Sequence, residues 1–90
     1  MKTAKYIPNN LLSCRKAVNL RQLDVAAKLG FTTTDRISRW EKGQAHPNIF
    51  NLFKLAKIYN VPPEKLYEGL IENLSSYQGP ENQNTPEQVF

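Results

Sequence analysis

Between positions 33 and 42 the chain sets out Thr33, Thr34, Asp35, Arg36, Arg39 and Lys42. These are groups that recognise rather than react. An arginine guanidinium can donate to both major-groove acceptors of guanine, worth ~1–3 kcal/mol of discrimination. A threonine methyl can touch a thymine methyl, and a lysine can reach a phosphate. Asp35 fits two roles: accepting from a cytosine amino group, or placing favourable negative charge at a helix N-terminus. Base contacts are therefore expected from Thr34, Asp35, Arg36 and Arg39. Phosphate contacts are expected from Arg21, Gln22, Thr33, Lys42 and the Gly43 backbone.

The charge distribution agrees with a polyanionic partner. Residues 1–43 carry nine Lys/Arg against three acids, a net +6, and residues 44–90 carry three against five, a net −2. The basic half holds the recognition residues. Catalysis finds little support. Cys14 is the only cysteine and His46 the only histidine, so neither a disulfide nor a Cys/His metal cluster can be built. Cys14 falls within an apolar pattern and reads as a buried, inert thiol. His46, in a loop before Pro47, reads as exposed, with a phosphate contact the lesser alternative. There is no phosphate-cradling glycine loop. Glu64, Glu68 and Glu72 repeat along one helix face, and like charges so spaced suit solvent better than catalysis. No cofactor and no enzyme activity are expected. No apolar run approaches the roughly 20 residues of a membrane helix, and no signal peptide is read, so a cytoplasmic location is expected.

The positioning elements all read as helices. Residues 1–7 look like a loose arm. Pro8 fits a first helical turn, and Leu11, Cys14 and Val18 follow at helical spacing to a stop at Asn19. A second helix over 21–29 carries Val25, Ala26 and Leu29, with Gly30 as its stop. The hydroxyl-rich stretch 31–35 reads as a turn, with Thr33 as the cap of a third helix. That helix carries Ile37 and Trp40 inward and stops at Gly43. Asn48 caps a fourth, whose Ile49, Leu52, Phe53, Leu55, Ala56 and Tyr59 form a broad apolar face ending at Asn60. Pro62, Pro63 and Glu64 open a fifth, with Leu66, Tyr67, Leu70, Ile71 and Leu74 apolar. Phe50, Phe53, Tyr59 and Tyr67 read as core or dimer contacts rather than base-stacking platforms. Lys54, Lys57 and Lys65 read as a solvated face. Residues 75–90 are polar, without a basic residue, and look like a flexible tail. The expected fold is all-α: five helices over residues 8–74, with the second and third as a helix-turn-helix. The expected core is Leu11, Cys14, Val18, Leu20, Val25, Ala26, Leu29, Ile37, Trp40, Leu52, Leu55, Ala56, Val61 and Leu66.

Leu20-Arg21-Gln22, Val25-Ala26, Leu29-Gly30, the run Ile37-Ser38-Arg39-Trp40-Glu41-Lys42-Gly43, Pro47, Leu52, Leu55-Ala56 and Val61 together resemble the lambda-repressor-like, Xre-type helix-turn-helix family. The resemblance covers about residues 11–70. It implies a five-helix domain that binds operator DNA, usually as a dimer. By position it makes Gln22 a phosphate contact, Thr34, Asp35 and Arg39 base readers, and Ile37 core. It also implies a salt bridge from Arg15 to Glu41, tying helix 1 to the end of helix 3. One departure stands out. The family has five residues between the glycine and the isoleucine, and here residues 31–36 are six. The extra residue either lengthens the turn or extends the start of the recognition helix.

These readings predict a sequence-specific regulator of transcription, a repressor, with the helix at 34–42 in the major groove of double-stranded DNA. A homodimer is expected through Leu66, Tyr67, Leu70, Ile71 and Leu74. The competing reading is a protein-interaction module or antitoxin that uses the same fold to bind a partner protein.

Overall fold

The computed structural model describes residues 6–75. Its helices are α1 (Leu11–Ala17), α2 (Gln22–Leu29), α3 (Asp35–Glu41), α4 (Ile49–Tyr59), α5 (Pro63–Leu66) and α6 (Glu68–Ser75). The expected arm at 1–5 and most of the expected tail, 76–90, lie outside the described residues. Ser75, read as the first tail residue, is instead the last residue of α6.

The first four helices stop in the same way. Asn19, Gly30, Gly43 and Asn60 all have φ between 59° and 81°. After each, the next residue's N–H reaches back to a carbonyl in the last turn: Leu20 to Arg15, Phe31 to Ala26, Gln44 to Arg39 and Val61 to Ala56. This pattern satisfies carbonyls that a helix end would otherwise leave unpaired.

Helix α1 begins later than Pro8 suggested, because two asparagines before it are committed elsewhere. Asn9 accepts the Leu11 N–H on its Oδ1 and donates from Nδ2 to the carbonyls of Ile7 and Trp40. Asn10 donates its N–H to the Leu66 carbonyl and its Nδ2 to the Lys65 carbonyl, at 2.8 and 2.7 Å. That second pair of bonds also explains why the described residues hold six helices and not five. In one continuous helix the Lys65 and Leu66 carbonyls would accept from Gly69 and Leu70. Asn10 occupies both, and the chain breaks at Tyr67 (φ −130°, ψ 36°) between α5 and α6.

The core gathers around α4, which packs against α1, α2 and α5. Buried there are Leu11, Cys14, Val25, Ala26, Leu29, Ile37, Trp40, Leu55, Ala56, Tyr59 and Leu66. Val18, Leu20, Leu52 and Val61 are only partly buried and pack on the rim of this cluster. Tyr59 is more deeply placed than its polar hydroxyl suggested, and burial pushes its phenol up from the usual value. Ile49 and Phe53, expected on the inner face of α4, lie exposed near its N-terminal end. Burial of Cys14 raises its thiol, the direction of an unreactive cysteine.

Candidate nucleic-acid interface

The turn before α3 resolves the question of the extra residue. Thr34, not Thr33, is the N-cap, and the helix starts at Asp35. Of residues 31–36, four precede the helix and two lie within it. The Thr33 hydroxyl still serves the helix start, accepting from the Asp35 N–H at 3.3 Å. Asp35, in the first turn, sits where negative charge favours a helix.

Ile37 and Trp40 fix the inner face of α3, and Asp35, Arg36, Arg39 and Lys42 are exposed. At about 100° per residue, Asp35, Ser38, Arg39 and Lys42 share the outward face. Arg36 falls to the side, about 100° from Asp35. Its guanidinium rests on the Phe31 ring, and it lies about 60° from Arg39, with which it lines one cleft. The ion pairs among the described residues leave Arg36, Arg39 and Lys42 outside them. Their charges are available to a partner.

The far end of α3 is held by a part-buried ion pair. Arg15 donates to Glu41 from Nε at 2.6 Å and from Nη2 at 3.1 Å. Its Nη1 donates to the Leu20 carbonyl at 2.9 Å. The two side chains are 11% and 6% exposed. Hydrogen bonding to Glu41 pushes the Arg15 guanidinium further up from its usual value. Gln22 joins from the start of α2, its Nε2 donating to Glu41 at 2.9 Å. One carboxylate thus ties α1, α2 and α3 together, which sets the angle between the two helices of the helix-turn-helix. Sequence reading placed Gln22 against phosphate and missed its bond to Glu41. Its amide can still donate once more.

Two expected phosphate contacts change. Arg21 is paired with Asp24, its Nη2 2.9 Å from Oδ1. The Asp24 carboxylate also accepts the Arg21 N–H at 2.8 Å, capping α2. The arginine bond, followed by that backbone bond, holds the Asp24 carboxyl down to about 2. Arg21 keeps an exposed cation but shares it with a neighbour. Gly43 is buried, and its N–H donates to the Trp40 carbonyl. It has no backbone donor left for a phosphate. Its carbonyl instead accepts from Ile7 at 2.8 Å, so Ile7 is pinned to the end of α3 rather than loose. An alanine Cβ at position 43 would meet the Ile7 oxygen at 2.5 Å, so the close approach requires glycine.

Sequence reading also missed what lies beside α3. A cleft is lined by Arg36, Arg39, Trp40, His46, Asn48 and Asn51. Asn48 caps α4 by accepting the Asn51 N–H at 2.8 Å. The asparagine cap was readable from its position; its closeness to Arg39 was not.

The described residues thus hold two short helices, α2 and α3, joined by a turn, the second with an exposed Arg/Lys face. The family model described as Helix-turn-helix matches residues 11–66, and the chain belongs to that family, of the Xre/Cro-C1 type. Such domains are DNA-binding regulatory modules and not enzymes. No curated protein and no solved structure matches the chain significantly. No described helix is long and apolar enough to cross a membrane.

Proposed function

We propose that this chain is a sequence-specific repressor that lays α3 in the major groove. Arg39 is the principal base reader, with Asp35 and Thr34 beside it. Lys42, Thr33, Gln22 and the exposed head of Arg21 meet the flanking phosphates. The observation that carries this reading is the unpaired Arg39–Lys42 face on a helix whose opposite side is locked by Ile37, Trp40 and Glu41. A rigid helix is what holds a guanidinium in register with a base pair.

The protein acts as a two-fold dimer, reading half-sites about one helical turn apart. Leu66 takes no part in that contact, being fully buried in the core. Tyr67, Leu70, Ile71 and Leu74 are left for it, with Ile71 and Leu74 the most exposed. A second reading, docking to a partner protein, draws support from exposed Ile49 and Phe50 at the start of α4.

Selection of bound sequences from a random duplex pool tests both. DNA recognition yields an enriched, two-fold symmetric site whose binding weakens steeply with salt. Arg39→Ala should then cost ~1–3 kcal/mol and relax one position of the site. If Arg39→Ala leaves binding to the enriched duplex unchanged, the assignment of α3 is wrong.

A further inference from the structure

Arg36 has a structural setting that base reading leaves unused. Its Cζ lies 4.6 Å from the centroid of the Phe31 ring. That ring meets Trp40 edge-on, with centroids 5.9 Å apart and planes at 69°. Trp40 is buried in the core. A chain of contacts therefore runs from the core, through a half-buried ring in the turn, to a surface cation. Arg36 also borders two hollows, one along the turn at Gly30 to Thr33 and one toward His46 and Asn51.

We propose that Phe31 is a positioning residue that holds Arg36 at the rim of the major groove for a DNA phosphate. The inference rests on the DNA-binding reading above. Three arguments support it. Arg36 lies on the flank of α3, and a helix in the groove turns its flanks to the sugar–phosphate walls while its outward face meets the bases. A guanidinium held over a ring spends no hydrogen bond on it and keeps N–H donors for an anion. A free arginine carries large rotamer freedom that a contact must freeze out, and the ring removes part of that cost in advance. Phe31 follows the α2 stop directly, its N–H bonded to the Ala26 carbonyl, so the ring is itself held in place beneath Arg36.

The test uses the full chain and two 30-base-pair duplexes, one enriched from the random pool and one with its sequence shuffled. Phe31→Leu, which keeps apolar bulk but removes the ring, should weaken binding to both by about two- to tenfold. Phe31→Tyr, which keeps the ring face, should bind as the parent does. Arg36→Gln should weaken both duplexes alike and lower the slope of log affinity against log salt by about one. Phe31→Leu should then add nothing in the Arg36→Gln background. Additive losses, a Phe31→Tyr defect equal to that of Phe31→Leu, or an Arg36→Gln loss confined to the enriched duplex would each overturn the proposal. Should Phe31→Leu melt far below the parent, the exposed Arg36→Gln decides alone: uniform loss with a shallower slope supports the proposal, and no loss overturns it. If Arg39→Ala destroys selective binding while Phe31→Leu and Arg36→Gln do nothing, this inference falls and DNA recognition by α3 stands. If the parent binds neither duplex, both fall.

Discussion

Replacing Glu41 with alanine would leave the Arg15 guanidinium in a site where only 11% of its side chain meets solvent. Glu41 accepts from Arg15 at 2.6 and 3.1 Å and from Gln22 at 2.9 Å, and all three bonds would be lost. The Leu20 carbonyl would be the remaining partner of the cation. Removing one member of a buried ion pair costs ~3–5 kcal/mol, because the other charge stays buried without compensation. For a domain of this size, 1 kcal/mol moves Tm by about 4–8 °C, so Glu41→Ala should lower it by roughly 12 °C or more. Urea unfolding followed by helical circular dichroism measures the loss directly. The Arg15→Met/Glu41→Met double variant isolates the cause. Without a buried charge, it should be more stable than Glu41→Ala alone. The reasoning is refuted if Glu41→Ala lies within 1 kcal/mol of the parent, or if the double variant is the less stable of the two.

Three further outcomes follow from the same structure. Asp24, held down to about 2 by Arg21, stabilises α2 above the unfolded carboxylate value near 4, and that contribution is lost as pH falls from about 4 toward 2. Its carboxyl carbon shift, followed by NMR, should titrate near 2 in the parent and higher in Arg21→Ala, where the backbone N–H bond of residue 21 remains; a parent midpoint near 4 contradicts the pairing. Gly43→Ala and Gly30→Ala both put a side chain at positive φ, but only position 43 adds a clash with the Ile7 backbone. Gly30→Ala should cost ~1–2 kcal/mol and Gly43→Ala clearly more in thermal melts; equal losses would mean the Ile7 contact yields freely. Tyr67 buries a hydroxyl without a hydrogen-bond partner, and burial pushes its phenol up to about 12. Tyr67→Phe should therefore be neutral or stabilising by up to ~1 kcal/mol, and a clear loss of stability would show that the hydroxyl is satisfied in solution.

The half of the site that sequence resolved best is the run 37–43. Ile37 and Trp40 point inward because their spacing leaves no other helical face, and the partner of Glu41 came from family resemblance rather than from any local pattern. Helix stops were legible for a local reason: only glycine and asparagine take the left-handed conformation cheaply. What sequence could not carry was competition for backbone groups across the fold. Nothing in residues 62–74 reports that Asn10 will take the Lys65 and Leu66 carbonyls, so one helix was read where two form. Gly43 read as a helix stop, but its burial under Ile7 depends on a segment 36 residues away. Spacing puts Arg36 beside Arg39, and the two line one cleft; what spacing does not report is the Phe31 ring under the Arg36 guanidinium. Ile49 and Phe53 fit a broad apolar stripe on α4, yet the face that meets the core is the narrower one of Leu52, Leu55, Ala56 and Tyr59, and Ile49 and Phe53 are turned off it.

The bond from Ile7 to Gly43 has a practical side. Through it, the backbone entering the domain touches the last turn of the helix assigned to read DNA. A fusion on the N-terminal side therefore enters the described domain through a residue bonded just past the end of α3. The opposite end of the described chain leaves from α6, which packs against α5. A label at the N-terminal side becomes a proximity reporter of whatever the end of α3 touches, and one placed on α6 reports on the proposed dimer contact instead.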